Sequence, residues 1–311
     1  MEQINGKVAQ AMKRIQAVEQ AAMVLPRELR LALLSQEPSQ LNRCEEIRAR
    51  AGRGLSWTDD TGTEHPVCPG SAPMPVTAED LRMAVELAAR SSMQGVQDKL
   101  ANGFLPLRGG HRLGLCGTAA IREGSILQFR TLSSVNIRVA CPVENVGAEL
   151  LPELMAADRF QSTLILAPPG EGKTTLLRDL IRLLGARGIR TGLADERGEV
   201  AALYQGVPQL EVGTLCDVAD GCGKGEGLLL LLRTMNPHVL AADEVSKPED
   251  VEAICQGANC GAAILATAHG GSVEELGRRG VYRPLLEQHV FSRLVTIHRE
   301  NARRSYEVHP L

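Results

Sequence analysis

An α/β fold with a parallel sheet is what residues 146–311 predict, preceded by a smaller α+β unit over residues 1–145. Three observations carry that expectation. Short apolar runs alternate with segments of helical apolar spacing in the second half, the order that builds a parallel sheet flanked by helices. One glycine-rich octapeptide, Ala167-Pro168-Pro169-Gly170-Glu171-Gly172-Lys173-Thr174, stands between such a run and such a helix. The first half instead places glycine-rich turns between extended runs, which suits hairpins. A chain of 311 residues, 44 % of them hydrophobic, is long enough for two domains and can fill two cores.

Residues 3–35 carry apolar positions at helical spacing, broken at Pro26, and predict two helices that cap or dock on the first domain. Glu46-Ile47-Arg48-Ala49-Arg50-Ala51-Gly52-Arg53 alternates as a strand does, with Arg48 and Arg50 on one face. Residues 58–76 hold Asp59-Asp60-Thr61-Gly62, Pro66 and Pro69-Gly70, and predict a surface loop or hairpin connection. Thr77, followed by Glu79 and Asp80, marks the start of a helix expected to reach about Ser91. A second helical segment is expected to end near Asn102-Gly103. The stretch from Phe104 to Gly117 reads as a hairpin turning at Gly109-Gly110, and another turn is expected at Glu123-Gly124. The domain boundary falls in Pro142-Val143-Glu144-Asn145-Val146-Gly147, and the chain has no internal repeat.

Composition narrows the function classes. A net charge of −3 gives no hint of a nucleic-acid or anionic-membrane partner, and 3 % aromatic residues leave few platforms for stacking bases. No stable nucleic-acid binding is therefore expected. The 8 cysteines include no CxxC and no metal-ligand spacing, so they read as reduced side chains of a cytosolic protein. No stretch approaches the roughly 20 apolar residues that span a bilayer. Met1-Glu2-Gln3 opens no secretory signal, so a soluble, unexported protein is expected.

The octapeptide reads as a phosphate-binding loop. Thr163-Leu164-Ile165-Leu166 suits a buried strand before it, and the ten residues from Thr175 to Leu184 have helical spacing after it. Backbone N–H groups of such a loop and of the helix start can surround a triphosphate, which nominates Pro169, Gly170, Glu171, Gly172, Lys173, Thr174 and Thr175. Lys173 can neutralise the β and γ oxygens, and the Thr174 hydroxyl can ligate Mg²⁺. The expected cofactors are thus ATP and Mg²⁺.

A second apolar run, Val239-Leu240-Ala241-Ala242, ends in Asp243-Glu244, which is a Walker B pattern. Asp243 can hold the Mg²⁺ shell through water, and Glu244 can orient or deprotonate the attacking water. Two more runs are expected to end at the same edge. Leu193-Ala194-Asp195-Glu196 again closes in acids, with Glu196 a second catalytic carboxylate or an ion-pair partner of Arg197. Ala263-Ile264-Leu265-Ala266-Thr267-Ala268-His269 closes in a histidine that can donate to the γ-phosphate and report its loss, or simply cap a loop. Charge in the transition state needs an arginine, and Arg130, Arg138, Arg278 and Arg279 are equal candidates on sequence.

Several segments in order resemble one family, the stage III sporulation protein AA group of spore-forming bacteria. They are Glu46 to Arg53, Gly109-Gly110-His111-Arg112-Leu113-Gly114 and Ser134-Val135-Asn136-Ile137-Arg138 in the first half. In the second half they are Pro168 to Asp179, Asp195-Glu196-Arg197, Asp217-Val218-Ala219-Asp220-Gly221-Cys222, Arg233-Thr234-Met235-Asn236-Pro237 and Ala266-Thr267-Ala268-His269-Gly270. The chain departs from the group at Gly54, where Pro is common, and at Val245-Ser246, which replaces Ile-Gly. The resemblance implies a relative of type II and type IV secretion ATPases with a RecA-like core that assembles into homo-hexameric rings. It implies that Glu196 lies in an acidic box and His269 in a histidine box. It further implies that the protein energises a channel built of membrane proteins, acting from the mother-cell cytoplasm at the membrane facing the forespore. Two other readings stay open, a nucleic-acid-binding NTPase gripping phosphates through Arg43, Arg48, Arg50 and Arg53, and a nucleotide-gated scaffold with little turnover.

Overall fold

The computed structural model describes residues 2–90, 103–122, 125–141, 143–300 and 303–311. The chain divides into two units, Met1–Cys141 with Tyr204–Gln209, and Pro142–Leu203 with Leu210–Leu311.

The first unit contains α1 (Glu2–Ala21), α2 (Arg27–Leu34), α3 (Pro38–Leu41), β1 (Cys44–Arg50), β2 (Ser56–Asp59), β3 (Glu64–Pro66) and α4 (Ala78–Arg90). It continues with β4 (Phe104–Pro106), β5 (Arg112–Arg122) and β6 (Ser125–Arg138). Its six strands form an antiparallel sheet in the order β3-β2-β1-β6-β5-β4. Alternation along β1 buries Ile47 and Ala49 while Arg48 and Arg50 stay on the other, wetter face. The buried set joins Leu25 from the link after α1, Leu29 and Leu33 from α2, Leu81 from α4, and Leu113 and Ile137 from the sheet. Pro26, which has no N–H to donate, stands just outside α2 and separates it from α1, as the sequence predicts. The expected start at Thr77 is a reciprocal cap: the Asp80 N–H donates to Thr77 Oγ1 at 3.1 Å, and the Thr77 N–H donates to the Asp80 carboxylate at 2.8 Å. Gly109 and Gly110 turn the chain with φ of 82° and 78°. The helical segment expected before Asn102 and the turn expected at Glu123-Gly124 lie outside the described residues.

The second unit opens with a small hairpin of β7 (Met155–Ala156) and β8 (Arg159–Phe160). It continues through β9 (Thr163–Ala167), α5 (Lys173–Ala186), β10 (Thr191–Asp195), β11 (Cys216–Asp220), α6 (Lys224–Thr234), β12 (Val239–Ala242), α7 (Pro248–Asn259) and β13 (Ala263–His269). Two short helices, α8 (Val273–Arg278) and α9 (Arg283–Glu287), lead to β14 (Arg293–Glu300) and β15 (Arg303–Pro310). The sheet order is β11-β10-β12-β13-β9-β14-β15, parallel from β11 to β14, with β15 returning antiparallel. Every residue of β9, β10 and β12 is buried, as expected of strands covered on both faces. Successive side chains serve opposite cores. Ile165, Leu193, Ala241 and Leu265 pack with Leu176, Leu177, Leu180 and Leu184 of α5. Leu164, Leu166, Leu240 and Ile264 pack with Leu228 and Leu231 of α6 and Ile254 of α7. Each fully buried leucine contributes about 2 kcal/mol of transfer free energy, so α5 is firmly seated beneath the loop that precedes it.

Candidate nucleotide site

Strand register does most of the assembly. Because β13 lies between β9 and β12, its residues face the ends of both. Pairing sets His269 beside Ala167, where the glycine-rich loop begins, and sets Ala266 beside Ala242, so Thr267 stands next to Asp243. Parallel strands point their carboxyl ends to one edge, and ligands of such sheets bind there.

Between Ala167 and Lys173 the chain turns through Gly170 at φ 80° and Gly172 at φ 97°. Both values lie in the left-handed region that only glycine enters without steric cost. Gly172 then starts α5, whose first N–H groups have no partner within the helix. The Lys173 ammonium is buried. It donates to the carbonyls of Ala167 and Pro168 at 2.9 Å each and to His269 Nδ1 at 2.8 Å. Burial lowers its pKa, against the opposing pull of Glu244, Asp243 and Glu171. With no ion pair to any carboxylate among the described residues, it is a cation placed for an anionic ligand. That observation fits a nucleotide phosphate at this loop.

The Thr174 hydroxyl donates to Asp243 Oδ2 at 3.1 Å, and the Thr267 hydroxyl donates to Asp243 Oδ1 at 2.8 Å. The Thr267 oxygen in turn accepts the Glu244 N–H. A hydroxyl and a carboxylate meeting at a phosphate loop are hard oxygen donors of the kind that magnesium takes. Glu244 sits at φ 35°, an uncommon conformation for a residue with a side chain, held by the Thr267 bond below and by Lys224, whose Nζ donates to the Glu244 carbonyl at 2.9 Å. His269 Nε2 meets Glu244 Oε1 at 2.7 Å. Since lysine only donates, His269 Nδ1 is the acceptor and its Nε2–H donates to Glu244. Lys173, His269 and Glu244 thus form one chain of contacts.

Glu196 is paired with lysines rather than with Arg197. Its oxygens bind Lys247 at 2.9 Å and Lys224 at 3.5 Å, with no bond to Arg197 among the described contacts. The hydrogen bond from Lys247, helped by the charge of Lys224, holds its carboxyl below the usual range. Through Lys224 it is linked to the backbone of Glu244. The neighbouring Asp195 is buried, and its carboxylate accepts from the N–H groups of Glu199, Val200 and Ala201 at 2.8–3.2 Å, so it shapes the following loop. Arg178 of α5 clamps the same loop through the carbonyls of Glu199 and Val200.

Among the arginines weighed on sequence, Arg279 donates to the His269 carbonyl at 2.8 Å and pairs with Glu275. Arg138 approaches Glu46 at 3.8 Å in the first unit. Sequence reasoning did not single out Thr267 as the bridge, Lys224 as the support of Glu244, or Arg304 beside Glu171. Only Lys224 carried a signal, since it opens a helix after a Gly-Cys-Gly turn.

The sequence model of the family described as "Sporulation stage III, protein AA" matches residues 15–308. The chain belongs to this family. A curated relative, the Stage III sporulation protein AA of Bacillus subtilis (strain 168), is 34 % identical over 287 residues, covering 91 % of each chain. Among solved structures, the DotB ATPase of Legionella pneumophila superposes with a TM-score of 0.57 at 16 % identity, over 86 % of this chain and 76 % of its own. The pilus retraction motor PilT with bound ADP gives 0.57 at 15 % identity, over 86 % and 79 %. The Yersinia pseudotuberculosis DotB ATPase gives 0.58 at 15 % identity, over 92 % and 80 %. The chain therefore has the α/β, RecA-like P-loop fold of these ATPases, with the parallel sheet that the sequence predicts. No helix among the described residues is long and apolar enough to cross a membrane.

Proposed function

We propose that this protein is a Mg²⁺-dependent ATPase, a ring motor that energises a transmembrane channel between mother cell and forespore during endospore formation. The observation that carries the reading is the hydrogen-bonded set Thr174–Asp243–Thr267 lying beside the chain Lys173–His269–Glu244, all at one sheet edge. Bound Mg²⁺ would neutralise phosphate charge and align the γ-phosphoryl group. In this reading Pro169 to Thr175 wrap the phosphates, Lys173 meets the β and γ oxygens, and Thr174 and Asp243 hold the metal. Glu244 takes the proton of the attacking water, with no covalent intermediate. His269 links the phosphate end to Glu244, and Glu196 assists by anchoring Lys224 and Lys247 rather than by exchanging protons itself. Assembly as a homo-hexamer would bring an arginine across the subunit boundary, and membrane proteins of the channel would be the partners at the mother-cell membrane.

One observation favours this reading over a nucleic-acid-binding NTPase. Arg43 is held by Asp59 and Asp60, Arg48 by Glu46 and Arg50 by Glu64, so most of the expected basic grip is already neutralised within the protein.

ATP turnover and native mass of the wild type beside Glu244→Gln, both with Mg²⁺-ATP, form the test. Turnover by the wild type, with a variant that binds ATP, stalls and accumulates as a ring, is the expected result. Undiminished turnover in Glu244→Gln would remove Glu244 as the base, a ring that binds ATP without turnover would favour the scaffold reading, and absence of both turnover and assembly would leave the loop a structural or partner-dependent feature.

A further inference from the structure

We infer that Arg304, on the C-terminal hairpin, is a nucleotide-binding residue of the same chain that takes the α and β phosphates. The inference rests on the nucleotide reading of the loop. Arg304 stands near the start of β15, and β14 and β15 lie on the side of β9 away from β13. Its Nε donates to the carbonyl of Glu171 at 2.9 Å. The position that a Cβ would take on Gly172 lies 3.0 Å from that Nε and 3.3 Å from the guanidinium carbon. The guanidinium therefore packs directly on the rim of the loop. Glycine at 172 is favoured by its φ of 97°, and a Cβ there would push the guanidinium off the rim.

The Arg304 side chain is exposed, and among the described residues it makes no ion pair, nor do its two terminal nitrogens bond to protein. Arginine forks that meet carboxylates or phosphates usually do so bidentately, and this one is anchored at Nε with its outer edge open. A carbonyl bond fixes direction without cancelling charge. The side of the loop it occupies decides which part of a nucleotide it meets. Asp243, Glu244 and His269 gather on the β12–β13 flank, where the γ-phosphate and attacking water belong in the motor reading. Arg304 sits on the opposite flank, against Glu171 and Gly172, where the polyphosphate leads away from the reacting end. It therefore serves ADP and ATP alike, setting affinity rather than the rate of the chemical step.

The test is binding of a fluorescent ADP analogue, and its displacement by inorganic pyrophosphate, with the full chain as wild type, Arg304→Gln and Arg304→Lys. A charge-assisted contact at an exposed site predicts that Arg304→Gln weakens both ligands by roughly five- to tenfold, with Arg304→Lys, which keeps the charge but loses the fork, falling between the two. Wild-type affinity in Arg304→Gln would overturn the inference. A loss for the ADP analogue but not for pyrophosphate would assign the guanidinium to the base instead. Equal weakness in Arg304→Lys and Arg304→Gln would reduce the role to capping Glu171. A wild type that binds neither ligand would remove the nucleotide reading itself, and this role with it.

Discussion

Thr267 is a small side chain with two bonds that tie together Asp243 and Glu244. It is buried at 0 % exposure, so neither bond can be replaced by water. Thr267→Val keeps the shape and removes both. The expected result is a loss of about 1–3 kcal/mol in urea unfolding together with reduced ATP turnover, because the Glu244 backbone at φ 35° loses one of its two restraints. Full turnover in a stable Thr267→Val protein would show that Lys224 alone holds Glu244. At this scale the sequence was informative about identity and silent about partners. Lys173, Thr174, Asp243, Glu244 and His269 were legible because each ends a strand or starts a helix in a recognisable order. The pairing of Glu196 with Lys224 and Lys247 was not, since those lysines lie far along the chain and only tertiary packing brings them in.

Between elements, the tightest approach that bears on the site is α6 against α7. A Cβ on Gly225 would lie 2.6 Å from the Glu249 carbonyl oxygen, at the end of α6 that also presents Lys224 to Glu244 and Glu196. Gly225→Ala should force the helices apart, with an overpacking cost of about 1–3 kcal/mol. It should also weaken ATP turnover through displacement of Lys224, so unchanged stability and turnover would contradict this close packing. Strand and helix types were readable here because burial on both faces makes β9, β12 and β13 plain apolar runs. Their lateral order was not, because sequence periodicity reports which face a residue takes and not which strand lies beside it. That β13 separates β9 from β12 is a fact of topology, and it is what makes one strand address both the glycine-rich loop after β9 and the acids after β12.

For the molecule as a whole, the first unit carries a pH dependence of its own. His111 is 2 % exposed, and burial pushes its pKa down to about 4 from the ordinary 6.5. Its Nδ1 accepts the Ala140 N–H at 3.0 Å, and Nε2 has no hydrogen-bond partner among the described residues. Above the ordinary value both folded and unfolded chains are neutral here, and stability is full. As pH falls from 6.5 toward about 4 the unfolded chain takes a proton that the folded one refuses, so stability drops by up to about 1.4 kcal/mol per pH unit and then levels off. Glu64, held down to about 2 by Arg50 and Ser56, loses its contribution only at more acid pH. The single tryptophan, Trp57, is buried in this unit and reports its unfolding by fluorescence. Urea unfolding at Trp57 should shift to lower midpoints across this window in the wild type and stay flatter in His111→Asn. Identical profiles would place the dependence elsewhere.

The Lys173 ammonium has a simple valence consequence. It owns three protons, and two carbonyls and one imidazole already accept them. A phosphate oxygen therefore cannot be added to this site; it must be exchanged for something. The imidazole is the one acceptor that is a side chain, and its other nitrogen holds Glu244. In the proposed ATPase, arrival of a phosphate at Lys173 and a change in the grip on Glu244 are therefore a single event, and the latch on the loop is the same lysine that the phosphate would claim.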